Sequence, residues 1–285
     1  GAAGGQGGKP LPVPETLYQA VRENLLRAEN IAHLYAFKER RTDLHTNPFG
    51  RIGTGGTRVF DVYPSSVRQL TYRRLTERNG VPVLAAELAD QDHRYRRRVA
   101  EVQRQLTARS TEERQREAAN AARARERRRR RVEDVVNVLQ FNLEGRTVHH
   151  GVPAIVISFT PKRDAKPVTR EGRTAVSFEG KVWIHEALSE VMYVEATSID
   201  DITFGLGLVA RVGRGAQASM TRRPVEGDLW MPTQVTLSGR GRAAVLRTLV
   251  IDFALDWFDY RRLTGDSVTP FLDSGVQRQS DGGPE

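Results

Sequence analysis

From residue 142 onward, apolar and polar residues alternate in short runs, and within most runs the aliphatic side chains keep to one parity. Ile155, Ile157 and Phe159 share a face. Met192, Val194 and Ala196 lie opposite Tyr193, Glu195 and Thr197, and Leu206, Leu208, Ala210 and Val212 alternate with Val209 and Arg211. The pattern recurs in Leu229, Met231, Val235 and Leu237, and again in Leu249, Ile251, Phe253 and Leu255. Period-2 runs punctuated by turn residues, with no helix between them, predict an antiparallel meander with one buried face. The strands predicted are Asn142–His149, Pro153–Thr160, Ala175–His185, Val191–Ile199, Phe204–Gly213, Gln217–Pro224, Leu229–Leu237 and Val245–Phe258. Trp183, Trp230 and Trp257 are assigned out of phase with the aliphatic face, either packing on the far side or marking a slip of parity at a bulge.

The first half of the chain is mixed. Leu17, Val21, Leu25 and Ala28 form one stripe of a helix over Glu15–Glu29. Ile31–Asp43, Thr57–Tyr63 and Gln69–Glu77 read as strands, and Asn79-Gly80 is a hairpin turn signal. Arg51-Ile52-Gly53-Thr54-Gly55-Gly56 reads as a flexible connection and lacks the Gly-Lys-Ser/Thr ending of a phosphate loop. From Leu84 to about Gln140 the spacing is helical, with Tyr95, Val99, Val102 and Leu106 in one stripe. Ser110 to Glu113 forms a capping box that restarts a helix. Val132, Val135, Val136, Leu139 and Phe141 bring this helical segment back to the body. The organisation expected is a disordered segment 1–14, a single domain 15–262 with an arginine-rich helical insertion 84–140, and a polar tail 263–285.

Charge sharpens the reading of the insertion. The formal net charge is +9, yet fifteen arginines and only five acidic residues fall between His93 and Val132, so the remainder is close to neutral. Between Arg109 and Arg131 no side chain is both large and apolar, so that stretch cannot be packed in a core. Arg125, Arg127, Arg128, Arg129, Arg130 and Arg131 are candidates for gripping an acidic partner or an anionic membrane surface. No aromatic residues interleave the run, which disfavours nucleic acid. A solvated helix remains the alternative.

A sheet with one apolar face must cover it. The first helix and the inserted helices either fill the concavity or leave room for a lipid-like ligand. In the second case the candidate lining is Ile155, Ile157, Phe159, Ile184, Met192, Val194, Leu206, Leu208, Leu237, Ile251 and Phe253.

Phe178-Glu179-Gly180-Lys181-Val182-Trp183-Ile184-His185 and Gly227-Asp228-Leu229-Trp230-Met231-Pro232, followed by a strand ending near Asp256-Trp257-Phe258-Asp259-Tyr260-Arg261, carry a family likeness. The chain resembles bacterial periplasmic proteins of the outer-membrane lipoprotein-sorting (LolA/LolB-like) class over about Glu15 to Arg262. The resemblance implies an α+β fold, a curved antiparallel sheet forming an unclosed β-barrel lidded by helices. It also implies a periplasmic location, with the leader not present in this chain, and a cavity holding a lipid or lipoprotein acyl chain without catalysis. His185 stands where an Asp is common in the pattern, and the long arginine-rich insertion is not part of a minimal carrier.

The chemistry available agrees with a binding role. There is no cysteine, hence no disulfide, thiolate metal site or thiol nucleophile. The histidines, His33, His45, His93, His149, His150 and His185, show no metal-ligand spacing, and no G-x-S-x-G elbow occurs. The sequence therefore predicts no cofactor, no metal and no catalytic residue. Two readings stay open: a periplasmic carrier of acyl chains, and an interaction module whose arginine-rich helices are the working part.

Overall fold

The computed structural model describes residues 10–47, 50–51, 56–65, 70–108, 111–205, 209–226, 229–243 and 247–263. Residues 1–9 and 264–285, most of the 51–56 connection, Ser110 of the capping box, Gly227-Asp228, and Leu206 and Leu208 lie outside them.

In chain order the elements are α1 (Pro14–Ile31), β1 (Tyr35–Asn47), β2 (Gly50–Arg51), β3 (Gly56–Tyr63), β4 (Tyr72–Arg78), β5 (Val81–Pro82), α2 (Ala85–Thr107) and α3 (Thr111–Val138). There follow β6 (Leu139–His149), β7 (Val152–Pro161), α4 (Arg170–Ala175), β8 (Phe178–His185), β9 (Val191–Ser198), β10 (Ile202–Gly205), β11 (Val209–Val212), β12 (Gln217–Glu226), β13 (Leu229–Ala243) and β14 (Arg247–Arg262).

All strands pair antiparallel in one sheet with the path β5-β4-β3-β1-β14-β13-β12-β9-β8-β7-β6, and β2, β10 and β11 are side branches. The path does not return on itself, so the fold is α+β with an unclosed sheet, as expected. Hairpin turns fall where the dipeptides place them. Asn79 and Gly80 have φ of 51° and 79°, and His150 and Gly151 have 48° and 81°. Two successive positive φ values give the turn whose twist matches the strands it joins.

Several boundaries differ from the sequence reading. The predicted strand Phe204–Gly213 is two strands, β10 and β11, paired to each other. The predicted helix end at about Gln140 falls at Val138, and Leu139 and Phe141 belong to β6. A short helix, α4, precedes β8, its Thr169 Oγ1 accepting the Gly172 N–H at 3.0 Å. β13 runs on through Ser238-Gly239-Arg240-Gly241, which reads as a break in sequence. A Cβ on Gly239 would stand 2.8 Å from Ala216 Cβ and 2.9 Å from Val212 Cγ1, so glycine is what lets neighbouring chain pack against β13 there.

Helices cover the two faces of the sheet unequally. α1 starts with Pro14 at a position where its missing N–H costs nothing. It lays Leu17 on Ile155, Ile157 and Ile184, and Ala28 on Leu229 and Met231. α2 packs elsewhere: Tyr95, Val99 and Val102 meet Leu70 and Tyr72, with Tyr72 and Tyr95 stacked at 4.1 Å. Strand alternation places Tyr72 on the opposite face of the sheet from Phe60, Glu39 and Trp257. Of the inserted pair, then, only the end of α3 shares the α1 side. Among the described residues no helix is long and apolar enough to cross a membrane.

Candidate functional site

Register fixes what faces α1. One continuous row runs Phe141–Phe159–Gly180–Ala196–Ala218–Leu237–Phe253, each residue directly opposite the next. A second runs Leu143–Ile157–Val182–Val194–Met220–Val235–Leu255. Directly opposed residues in antiparallel strands share a face, so these rows form one apolar floor. The first row is large at its ends and small in its middle. Gly180, Ala196 and Ala218 leave a hollow between Phe159 and Leu237.

Above the hollow lie Tyr18, Val21 and Leu25 of α1, Val135 and Val136 of α3, and Ala175 of α4. The space between them is about 360 Å³, and apolar groups form nearly all of its wall. That is within the ~300–1,000 Å³ of typical small-molecule sites. The phenol of Tyr18 is shifted upward, by its partial burial and then by Glu15.

The lid is held by polar ties at its rim. Arg22 of α1 pairs with Glu133 of α3. Arg131 of α3 meets Glu29 of α1 at 2.7 Å and Glu171 of α4 at 3.7 Å. On the other flank, Asn24 donates to the carbonyls of Leu188 and Ser189, at 2.9 and 3.1 Å, and Arg27 reaches Glu190 at 3.2 Å. Glu190 also binds Arg222 at 3.1 Å, with both side chains almost fully buried. Burial lowers the Arg222 guanidinium below its ordinary value, and the Glu190 carboxylate works against that shift. The α3–α4 joint is pinned by Asp134, which accepts the Thr169 N–H at 2.7 Å, the Thr169 hydroxyl at 2.6 Å and the Val168 N–H at 3.1 Å.

The residues singled out in sequence are distributed as follows. Ile157, Phe159, Ile184 and Val194 line the hollow. Ile155 is sealed under Leu17 beside it. Leu237 and Phe253 continue the same face farther along the sheet. Met192 does not reach it. The pairing jumps from Trp183↔Tyr193 to Ile184↔Val191, leaving Met192 as the extra residue of a bulge. Val191 takes the inner position, and Met192 joins Ala154, Trp183 and Trp230 on the other face. Two of the tryptophans are therefore out of phase, as assigned, and they bury against each other's strands and not under a helix. Trp257 corrects the assignment. With no bulge between, it keeps the parity of Phe253 and Leu255, and its indole N–H donates to Glu39 at 3.1 Å. Leu206 and Leu208 lie outside the described residues, as do the side chains at 251 and 125.

Among the described side chains of the arginine run, Arg129 is engaged with Glu133, Arg130 with Glu126, and Arg131 as above. Arg127 is exposed and Arg128 half-buried. The lid residues Val21 and Leu25 were visible as a helical stripe but were not assigned to a site. The small residues Gly180, Ala196 and Ala218 carry no signal in a search for large apolar positions.

No family model matches the sequence, and no curated protein does. Among solved structures, an outer membrane lipoprotein-sorting protein domain from Vibrio parahaemolyticus aligns at 12% identity and a TM-score of 0.34, over 92% of this chain and 99% of that one. MucB in complex with MucA(peri) aligns at 11% identity and 0.21, over 86% and 100%. The Pseudomonas aeruginosa MucA/MucB complex gives 10% and 0.22, over 86% and 99%. At such TM-scores these likenesses carry no weight for the site.

Proposed function

We propose that this chain is a non-enzymatic carrier that holds a lipid or lipoprotein acyl chain between α1, α3 and the sheet, and that it works in the periplasm. The observation that carries the reading is the hollow itself, about 360 Å³ walled by apolar groups beneath a lid tied down by polar pairs at its edge. Burying a methylene contributes about 0.8 kcal/mol, so eight methylenes would contribute about 6 kcal/mol before the cost of association. Nothing in the wall needs to react. Native mass spectrometry of gently purified protein, with a fluorescent fatty-acid displacement assay, tests it. A bound acyl species displaced by added fatty acid is expected, and protein that neither carries nor takes up any lipid would end the proposal.

A second reading rests on the insertion. Among the described residues, pairs three or four residues apart neutralise Arg94, Arg104, Arg129 and Arg130, and Arg131 pairs with Glu29 and Glu171, against fifteen arginines between His93 and Val132. This excess favours attachment to an acidic protein or an anionic membrane. Deleting residues 109–131 separates the two roles: attachment is lost and acyl binding survives if the insertion is a docking arm alone.

A further inference from the structure

The arginine-rich helix and the lid share a residue. Arg131 ends the run of arginines in α3, and it also ties α3 to Glu29 of α1 at 2.7 Å and to Glu171 of α4 at 3.7 Å. Positions 123, 127 and 131 follow one another at four-residue spacing, so they share one stripe of the helix, and all three are arginine. No acidic residue stands three or four positions from Arg127 on either side, so the stripe carries a like-charge conflict along its length. Arg123 and Arg127 are exposed, and the Arg131 side chain is 42% exposed. The acidic groups at the base of the run are already engaged. Arg130 holds Glu126, Arg22 and Arg129 hold Glu133, Thr169 and Val168 hold Asp134, and Arg131 itself holds Glu29 and Glu171.

What can sit on this stripe is limited by what the helix lacks. Between Arg109 and Arg131 no large apolar side chain is present to build the dry centre of a protein interface, and no aromatic ring to stack on a base. A surface of many negative charges that needs no apolar contact fits, and for a carrier of acyl chains an anionic bilayer is such a surface that can also receive the cargo. Magnitudes decide whether docking reaches the lid. An exposed ion pair and an arginine close to an anionic bilayer are each worth up to about a fivefold change in an equilibrium. Lipid phosphates that have drawn in Arg123 and Arg127 therefore compete with Glu29 and Glu171 for Arg131.

We infer that the arginine stripe of α3 docks on an anionic lipid surface, and that docking loosens the lid because the bilayer takes Arg131 away from Glu29 and Glu171. This rests on the carrier reading and adds the acceptor and the trigger for release.

The test uses the full chain with vesicles of phosphatidylcholine, alone or with about one third phosphatidylglycerol to supply the negative surface. Flotation reads docking, and hydrogen exchange of the α1 amides reads the lid without needing a ligand. The wild type is expected to float with the anionic vesicles and not with phosphatidylcholine, and less so as salt is added. On the anionic vesicles α1 should exchange about two- to fivefold faster, and a bound fluorescent fatty acid should leave faster by a similar factor than into phosphatidylcholine at equal lipid. Arg123→Gln/Arg127→Gln should float at least about tenfold more weakly and lose that acceleration, with its α1 exchange in free solution unchanged. Glu29→Gln/Glu171→Gln should still float, while its α1 amides exchange fast with or without vesicles, which separates the lid response from docking. Should either variant fail to fold, the wild-type comparison between the two vesicles decides alone. Wild-type protein that does not float with anionic vesicles, or that floats with α1 exchange unchanged, overturns the inference. Duplex DNA at equal phosphate concentration, or polyglutamate at equal charge, binding more tightly than the vesicles overturns it in favour of a nucleic acid or an acidic protein. Faster α1 exchange on anionic vesicles in a protein that takes up no fatty acid keeps the docking and the lid response and ends the carrier reading.

Discussion

The Arg222 guanidinium and the Glu190 carboxylate meet at 3.1 Å with 3% and 2% of their side chains exposed. Arg222 also donates to the Trp230 carbonyl at 2.7 Å, and Glu190 accepts from Arg27 of the lid helix. The residue after Glu190 lines the hollow, and so does Met220, two before Arg222. The pair thus joins the lid helix to the rim of the floor. Removing one member strands a buried charge, at a cost of about 3–5 kcal/mol. Arg222→Met and Glu190→Gln are each expected to lower stability by that order in urea unfolding. The double substitution should cost clearly less than their sum. Additive losses would mean that the two side chains are not coupled.

The hollow exists because the middle of one row is small, and its two kinds of small residue should respond oppositely to enlargement. Ala218 lines open space, so Ala218→Leu is expected to fill it, abolish acyl binding and change stability by less than about 1.5 kcal/mol. A Cβ on Gly180 would collide with the backbone carbonyl of Glu195 and the Ala196 Cα, so Gly180→Ala forces strands apart. It should cost about 1–3 kcal/mol, the usual range for overpacking. Chemical denaturation together with fatty-acid binding reads both. Acyl binding that persists in Ala218→Leu would place the ligand elsewhere.

The sheet was legible because alternation is local, and each strand carries its own record of which side is wet. What was lost depended on partners far along the chain. Met192 continues the apolar alternation of Val194 and Ala196, and nothing in its neighbours announces that β8 leaves it unopposed. The Glu190–Arg222 pair spans 32 residues, and each member alone reads as a surface charge. β10 and β11 read as one strand because Leu206 and Leu208 keep the period between them. Whether the concavity was filled or hollow stayed open in the sequence for a different reason. A cavity is made by side chains that are absent, and Gly180, Ala196 and Ala218 count as silence in a hydrophobic pattern.

Asp134 gives the α3–α4 joint a pH dependence whose sign follows from its surroundings. Burial raises its carboxyl, but hydrogen bonds from Thr169 and Val168 and the nearby Arg173 outweigh that and hold it below the usual carboxylate range. A depressed folded-state value means that the stabilisation is fully present above the unfolded value of about 3.9 and is lost as pH falls through the folded one. Wild-type stability should therefore decline on acidification below about pH 4. Asp134→Asn is expected to flatten that decline and to cost about 1–3 kcal/mol at neutral pH, since the amide nitrogen cannot accept the donors the carboxylate satisfies. Equal acid slopes in the two proteins, measured by thermal unfolding across the window, would remove Asp134 from the account.

Arg131 separates holding the lid from holding the fold. Its pairs with Glu29 and Glu171 involve side chains 42%, 35% and 45% exposed, and exposed pairs contribute only about 0–1 kcal/mol each. Arg131→Gln should therefore leave the unfolding midpoint nearly where it was. The same ties bridge α1, α3 and α4 beside the wall residues Leu25, Val135 and Val136. A small loss of stability concentrated at that seam shifts the balance between closed and open lid without touching the core. Release of a fluorescent fatty acid, followed by stopped flow, is expected to be about two- to fivefold faster in the variant. Added salt should speed release from the wild type, because exposed pairs are screened, and should do less in a protein whose tie is already cut. Unchanged release in Arg131→Gln, with wild-type release indifferent to salt, would show that the ligand leaves by a route other than the α1–α3 seam.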